Sequence, residues 1–166
     1  RLKDAATTGH IALKHRNHLG VRTDIPINLD GTALIQNFTN PFASGGEVYN
    51  VYIDPTAVAN NPNMKTVGSV RALWSGNANN DDRIKYSGSG TDITAISSAV
   101  FLNPLNLTFS STFPLAAYHI ADLNMNGEVK YSGSGTDVTI ISANVLSNPT
   151  NTTFSSTFPI LKHLEN

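Results

Sequence analysis

The sequence predicts a mixed fold. An antiparallel, β-rich unit over residues 1–72, with too few strands for a complete sandwich, is followed over residues 73–166 by a pair of loop–helix repeats. Three observations predict this. Residues 85–114 (KYSGSGTDITAISSAVFLNPLNLTFSSTFP) recur as 130–159 (KYSGSGTDVTIISANVLSNPTNTTFSSTFP), offset by 45 residues. Each copy places apolar residues at helical spacing after its Ser/Gly run. Upstream, short runs alternate apolar and polar residues between Gly, Pro and Asn turn signals.

With 166 residues and 40% hydrophobic content the chain can bury a core as one domain or two small ones. Only 14% of residues are charged, and Asn, Ser, Thr and Gly are abundant, which suits short strands and polar turns better than long helices. The formal net charge of -1, without any Lys/Arg cluster interleaved with aromatics, argues against nucleic acid as a partner. No apolar run approaches a membrane span. The absence of cysteine removes disulfides, thiolate metal sites and Cys nucleophiles. The chain opens on Arg1-Leu2-Lys3 without an initiator Met, as expected of a mature product or a piece of a longer exported protein.

In the N-terminal unit, residues 10–19 (HIALKHRNHL) have a period of two, with Ile11 and Leu13 on one side and Ala12, Lys14 and Arg16 on the other. Further strands are expected over 21–29, 34–38, 48–53 and 67–73, the last interrupted by Gly68. Turn signals at Asp30-Gly31, Asn40-Pro41, Gly45-Gly46, Asp54-Pro55 and Asn61-Pro62-Asn63 separate them. His10, His15 and His18 invite a metal reading. On an extended strand, however, His15 and His18 face opposite ways, and no HExxH spacing is present, so solvent-facing or core-satisfied histidines are expected.

The second unit carries the chemistry. A calcium loop of the EF type needs oxygen donors at its first, third and fifth positions, a backbone carbonyl at the seventh and a closing carboxylate. In the second copy Asp122, Asn124 and Asn126 fill the first three places, Gly127 supplies the sharp turn, and Glu128 gives its carbonyl. In the first copy the same places fall to Asn77, Asn79, Asp81 and Arg83, with Asp82 in place of the turn glycine, which predicts local strain. Gly88 and Gly133 stand at the twelfth position, so the closing carboxylate must come from Asp92 and Asp137, with SGSG looped out. The plainer alternative is that Thr91, Thr136 or these aspartates cap helices bearing Ile93, Ile96 and Val100, or Val138, Ile141 and Val145. Ile84 and Val129 are expected to touch each other between the loops, and Phe109, Phe113, Phe154 and Phe158 to plug the core.

Other chemistries fail on spacing. The Ser/Gly run lacks the GK[ST] of a phosphate loop, and Ser87-Gly88-Ser89-Gly90 lacks the G-x-S-x-G of a hydrolase elbow. No catalytic activity is expected. The sequons at Asn37, Asn106 and Asn151 are expected by chance in a chain this rich in Asn and Thr.

Paired segments of the form D-x-N-x-[DN]-G-x-[IV], each followed by a helix, are similar to type I dockerin repeats. The fuller pattern, LWSGNANNDDRIKYSGSGTD followed by ADLNMNGEVKYSGSGTD and preceded by HRNHLGVRT, resembles the dockerin-like C-terminal region of large secreted or surface proteins of Bacteroidetes-type bacteria. The resemblance runs from about residue 10 to residue 159 and is densest from residue 73 onward. It implies calcium in both loops, repeats over about 73–114 and 118–159, a secreted or cell-surface setting, and a protein domain as partner. The SGSG insertion and the Asn-rich first loop depart from true dockerins and weaken the case for cohesin binding. The expected function is a non-catalytic, calcium-stabilised adhesion or assembly module. A dockerin-type recognition module and an accessory fragment of a secreted enzyme stand as alternatives.

Overall fold

Frequent turns leave the described strands only two or three residues long, so the ladders are short. The computed structural model describes residues 8–23, 26–28, 38–39 and 63–162. It is a small mixed fold in which the described strands pair two by two around two helices. In the N-terminal part β1 (Thr8–Gly9) pairs antiparallel with β4 (Ile27–Asn28), and β2 (Ala12–Leu13) with β3 (Val21–Arg22). β5 (Lys65–Val67) and β6 (Val70–Ala72) form a hairpin. The single strand expected over 67–73 is therefore corrected: Gly68, at φ 59°, closes a turn between two strands. Residues 34–37 and 48–53 lie outside the described residues.

The run at 10–19 is also not one strand. After β2 the chain turns at Arg16 and Asn17, with the His18 amide donated to the His15 carbonyl at 3.3 Å. Beyond the turn, His18 bridges to Ser75, and the Leu19 amide bonds the Trp74 carbonyl at 2.9 Å. Leu19 and Trp74 share one buried cluster with Ile84, Ile96, Val129, Ile141 and Ile160, so the first part of the chain closes over the repeats' core. Val21, Phe38 and Met64 form a smaller cluster alongside.

Within the repeats, α1 (Asp92–Phe101) and α2 (Val138–Leu146) pack together through Ile96, Val100, Ile141 and Val145, all fully buried, as the helical spacing predicts. The loops are closed by strands exchanged between the copies. β7 (Arg83–Ile84), in the first loop, pairs with β10 (Ile160–Leu161), which follows the second copy. β9 (Glu128–Val129), in the second loop, pairs with β8 (Leu115–Ala116), which follows the first. Ser87 with Ser156 and Ser132 with Ser111 repeat the exchange, each pair of hydroxyls at 2.9 Å. Ile84 and Val129 are thus both buried in one apolar cluster, while their strand partners are Ile160 and Leu115.

Phe113 and Phe158 pack on the core as expected. Phe109 and Phe154 do not: they are 71% and 73% exposed, at φ 50° and 52°, on tight turns that swing them outward. Those turns are built by Asn106 and Asn151, each 2% exposed. The Asn106 amide group donates to the carbonyls of Val100 and Ser110, both at 3.0 Å, and its oxygen accepts the Ser110 amide at 2.8 Å. Asn151 does the same with Val145 and Ser155. One side chain thereby ties off a helix and shapes the tail after it. In the folded chain the sequon asparagines Asn106 and Asn151 are committed to these bonds.

Candidate metal centre

The two loops are shaped by their own Asx side chains. In the second, Asn124 Oδ1 accepts the Asn126 amide at 3.0 Å, and Asn126 Oδ1 accepts the Glu128 amide at 2.9 Å. Asp122, 2% exposed, accepts the amides of Asn126 and Gly127, both at 3.1 Å. In the first, Asn79 Oδ1 accepts the Asp81 amide at 3.1 Å and Asp81 Oδ1 the Arg83 amide at 2.9 Å. Each of these Asx oxygens accepts the backbone amide two residues on, the bond that folds an Asx turn, and has a second lone pair. Arg83 and Glu128 stand where each loop passes into its strand.

The strain expected at Asp82 does not arise. The left-handed positions common to both loops are Asn80 and Met125, each at φ 58°, while Gly127, at 88°, is left-handed in the second loop only. The first loop therefore has no need of glycine at residue 82. Asp82 instead lies 53% exposed and pairs with Lys162.

Asp92 and Asp137, both fully buried, act as clasps. Asp92 Oδ1 accepts the amides of Ala78 (2.8 Å) and Asn79 (3.4 Å), and Oδ2 accepts that of Lys85 (2.7 Å). Asp137 repeats this with Leu123 (2.7 Å), Asn124 (3.2 Å) and Lys130 (2.8 Å). The amides of Asp92 and Asp137 return to the carbonyls of Lys85 and Lys130, so the Ser/Gly run does loop out, closed at its base. Neither Thr91 nor Asp137 makes a side-chain capping bond, and the two carboxylates are engaged by the loops, so capping is corrected for these residues; Thr136 does cap its helix as expected, its Oγ1 accepting the Val138 amide at 3.0 Å. With three amides on a group that has about four acceptor sites, each clasp keeps about one free.

Burial pushes Asp92 up to about 6, against the amides of Lys85, Asn79 and Ala78, and the Asp81 carboxylate adds to the rise. Asp137 is raised for the same reason, with Asp122 as the neighbouring charge.

Sequence reasoning missed the segment that docks on the loops. Asn17, fully buried, donates to the Asp122 carbonyl at 2.6 Å, while its own carbonyl accepts the amides of Gly76 and Asn77. Arg16 reaches Asp122 Oδ2 at 3.3 Å and lies 3.9 Å from the centre of the Tyr118 ring. Asn144, on α2, receives Lys65 and donates to the Ser75 carbonyl, both at 2.7 Å. The signal was in the departures from the repeat: Asp122 and Asn144 stand where the first copy has Asn77 and Ala99.

The calcium-ligand set fits this geometry unevenly. In the first loop Asn77, 5% exposed, donates to the Asp81 carbonyl at 2.7 Å, yet its buried Oδ1 has no hydrogen-bond partner. A buried acceptor left open is costly unless something fills it. In the second loop the equivalent Asp122 already takes two amides and a guanidinium. Among the described residues no three His, Asp or Glu side chains converge, so any cation here would rest largely on carboxamide and backbone oxygens. Also among the described residues, no helix is long and apolar enough to cross a membrane. Comparison of the chain with protein-family models, with curated proteins and with solved structures finds no match.

Proposed function

We propose that the chain is a non-catalytic structural module whose duplicated loops are stabilised by calcium, as part of a larger exported, cell-surface protein. The supporting observation is the orphaned Asn77 Oδ1, at the first ligand position of a loop whose Asn79 and Asp81 side chains fold it through bonds to the Asp81 and Arg83 amides. The buried Asp92 and Asp137 carboxylates, raised mainly by burial and further by Asp81 and Asp122, are groups whose charged form a nearby divalent cation would favour. The resemblance to dockerin-like repeats agrees with the same positions.

Ligands that are mostly neutral carboxamides give weak sites, with dissociation constants on the order of 10⁻⁴ to 10⁻³ M, which fill only in calcium-rich media. At a hundred times the dissociation constant, calcium adds about 2.7 kcal/mol to the folded state. The test is thermal melting in millimolar calcium against chelator. A rise in melting temperature with calcium supports the reading, and indifference to both contradicts it.

A recognition role has its own observation. Leu102, Leu105 and Leu107 are 79%, 77% and 84% exposed after α1, whereas the second copy has Ser147, Thr150 and Thr152 at these positions. Exposed leucines present on one copy and replaced by polar residues on the other are the mark of a surface that meets an apolar partner.

A further inference from the structure

The turn at Arg16 and Asn17 brings together side chains that an extended strand would have kept apart. His15 Nδ1 lies 2.9 Å from His18 Nδ1, and Asn17 Oδ1 lies 3.2 Å from the first and 2.7 Å from the second. The rings meet edge to face, with centroids 4.7 Å apart and planes at 79°. Three potential donor atoms thus form a small triangle, contributed by three residues within a span of four.

Hydrogen bonding alone satisfies this triangle poorly. Asn17 Oδ1 only accepts, and one proton, on His18 Nδ1, can serve it at 2.7 Å. The His15 nitrogen then either turns a lone pair toward the same oxygen or brings a second N–H against the first. Nor can Asn17 turn away, because it is fully buried and its amide nitrogen is bound to the Asp122 carbonyl at 2.6 Å. That bond fixes Oδ1 as the atom facing the histidines.

A cation resolves the conflict. With bonds of about 2.0–2.1 Å to imidazole nitrogen, two ligands at right angles lie about 2.9 Å apart, and two at a tetrahedral angle about 3.4 Å apart. The observed edges of 2.9, 2.7 and 3.2 Å match three ligands on one face of a six-coordinate ion. Two imidazoles and a carboxamide oxygen suit a divalent late transition metal better than calcium, which prefers oxygen donors throughout. The opposite face opens on a cleft of about 380 Å³ lined by Lys14, Asn80 and Asp81, where water can complete the coordination. Two cations bordering the cleft are engaged, Lys162 with Asp82 and Arg16 with Asp122.

We propose that His15, Asn17 and His18 form a facial site for a six-coordinate divalent late transition metal of the nickel class, separate from the Asx loops. Because Asn17 also holds the Asp122 carbonyl, an ion there would pin the docking turn against the second loop. The test is calorimetric titration of the whole, tag-free, metal-stripped chain with Ni²⁺ in excess calcium. One nickel per chain is expected, weakened at least tenfold in His15→Ala and in His18→Ala and unchanged in His10→Ala and His119→Ala. His15 is exposed, so His15→Ala keeps the fold, which circular dichroism checks, even if His18→Ala does not. Absence of nickel binding, or equal binding in His15→Ala, overturns the proposal.

Discussion

Replacing Asp92 by Ala removes the acceptor for three backbone amides, those of Ala78, Asn79 and Lys85, at both ends of the first loop. A hydrogen bond to a charged group contributes about 1.5–3 kcal/mol, and the orphaned amides lose their partner without gaining full access to water. Against this, the substitution relieves the burial of the carboxylate, whose cost is visible in its rise to about 6. The net loss should be about 3–5 kcal/mol, for three amides left unpaired at about 1–3 kcal/mol each, less the relieved burial of the carboxylate. In a chain of this size that is a fall of about 10 °C in melting temperature. The assay is urea and thermal denaturation in chelator, so that calcium plays no part. Asp137→Ala should lose a similar amount through Leu123, Asn124 and Lys130. Asp82→Ala, which removes an exposed carboxylate, should stay within about 1 kcal/mol. If Asp92→Ala melts within 2–3 °C of the parent, roughly 1 kcal/mol at this size, the clasp is not what closes the loop.

Two further outcomes follow from the same geometry. Asn106→Ala and Asn151→Ala should each cost about 2–4 kcal/mol in denaturant midpoints, since each leaves a helix-end carbonyl and a tail amide unpaired, whereas Thr108→Ala and Thr153→Ala, at exposed sites, should be nearly neutral. The pH dependence of the chelated chain should contain two opposed contributions. Asp92 sits at about 6 in the fold against 3.8 ordinarily, so the folded state binds more protons in that window and stability falls as pH rises through it; Asp137 acts in the same direction. His18 is lowered to about 4 from 6.5 by burial and by His15, so the unfolded state binds more protons there and stability rises with pH. His18→Gln should therefore make stability fall more steeply between pH 4 and 6, and Asp92→Asn should shift the slope the other way, both read from urea midpoints.

What the sequence disclosed was whatever repeats. An offset of 45 residues was enough to place both loops, both helices, the Ile96, Val100, Ile141 and Val145 contact and the looped-out Ser/Gly run. Exchange of β8 and β10 between the copies was not legible, because equal strands at equal offsets satisfy pairing within a copy as well as between copies. The positions of Phe109 and Phe154 were misjudged because hydrophobicity says nothing of a backbone held left-handed by a buried asparagine. Likewise, periodicity over residues 10–19 concealed the turn at Arg16 and Asn17, since a turn can interrupt an alternating pattern without altering it. The clasp role of Asp92 and Asp137 lies between the ligand and cap alternatives. Their spacing identified them, but only the fold shows three amides on each.

The paired loops stand or fall on where calcium binds. In ¹H–¹⁵N correlation spectra of the stripped chain titrated to millimolar calcium, the largest shifts should fall on residues 77–83 and 122–128, with Asp122→Asn suppressing the second set alone. Spectra unchanged by calcium, or shifts scattered over exposed carboxylates such as Asp82, would contradict it.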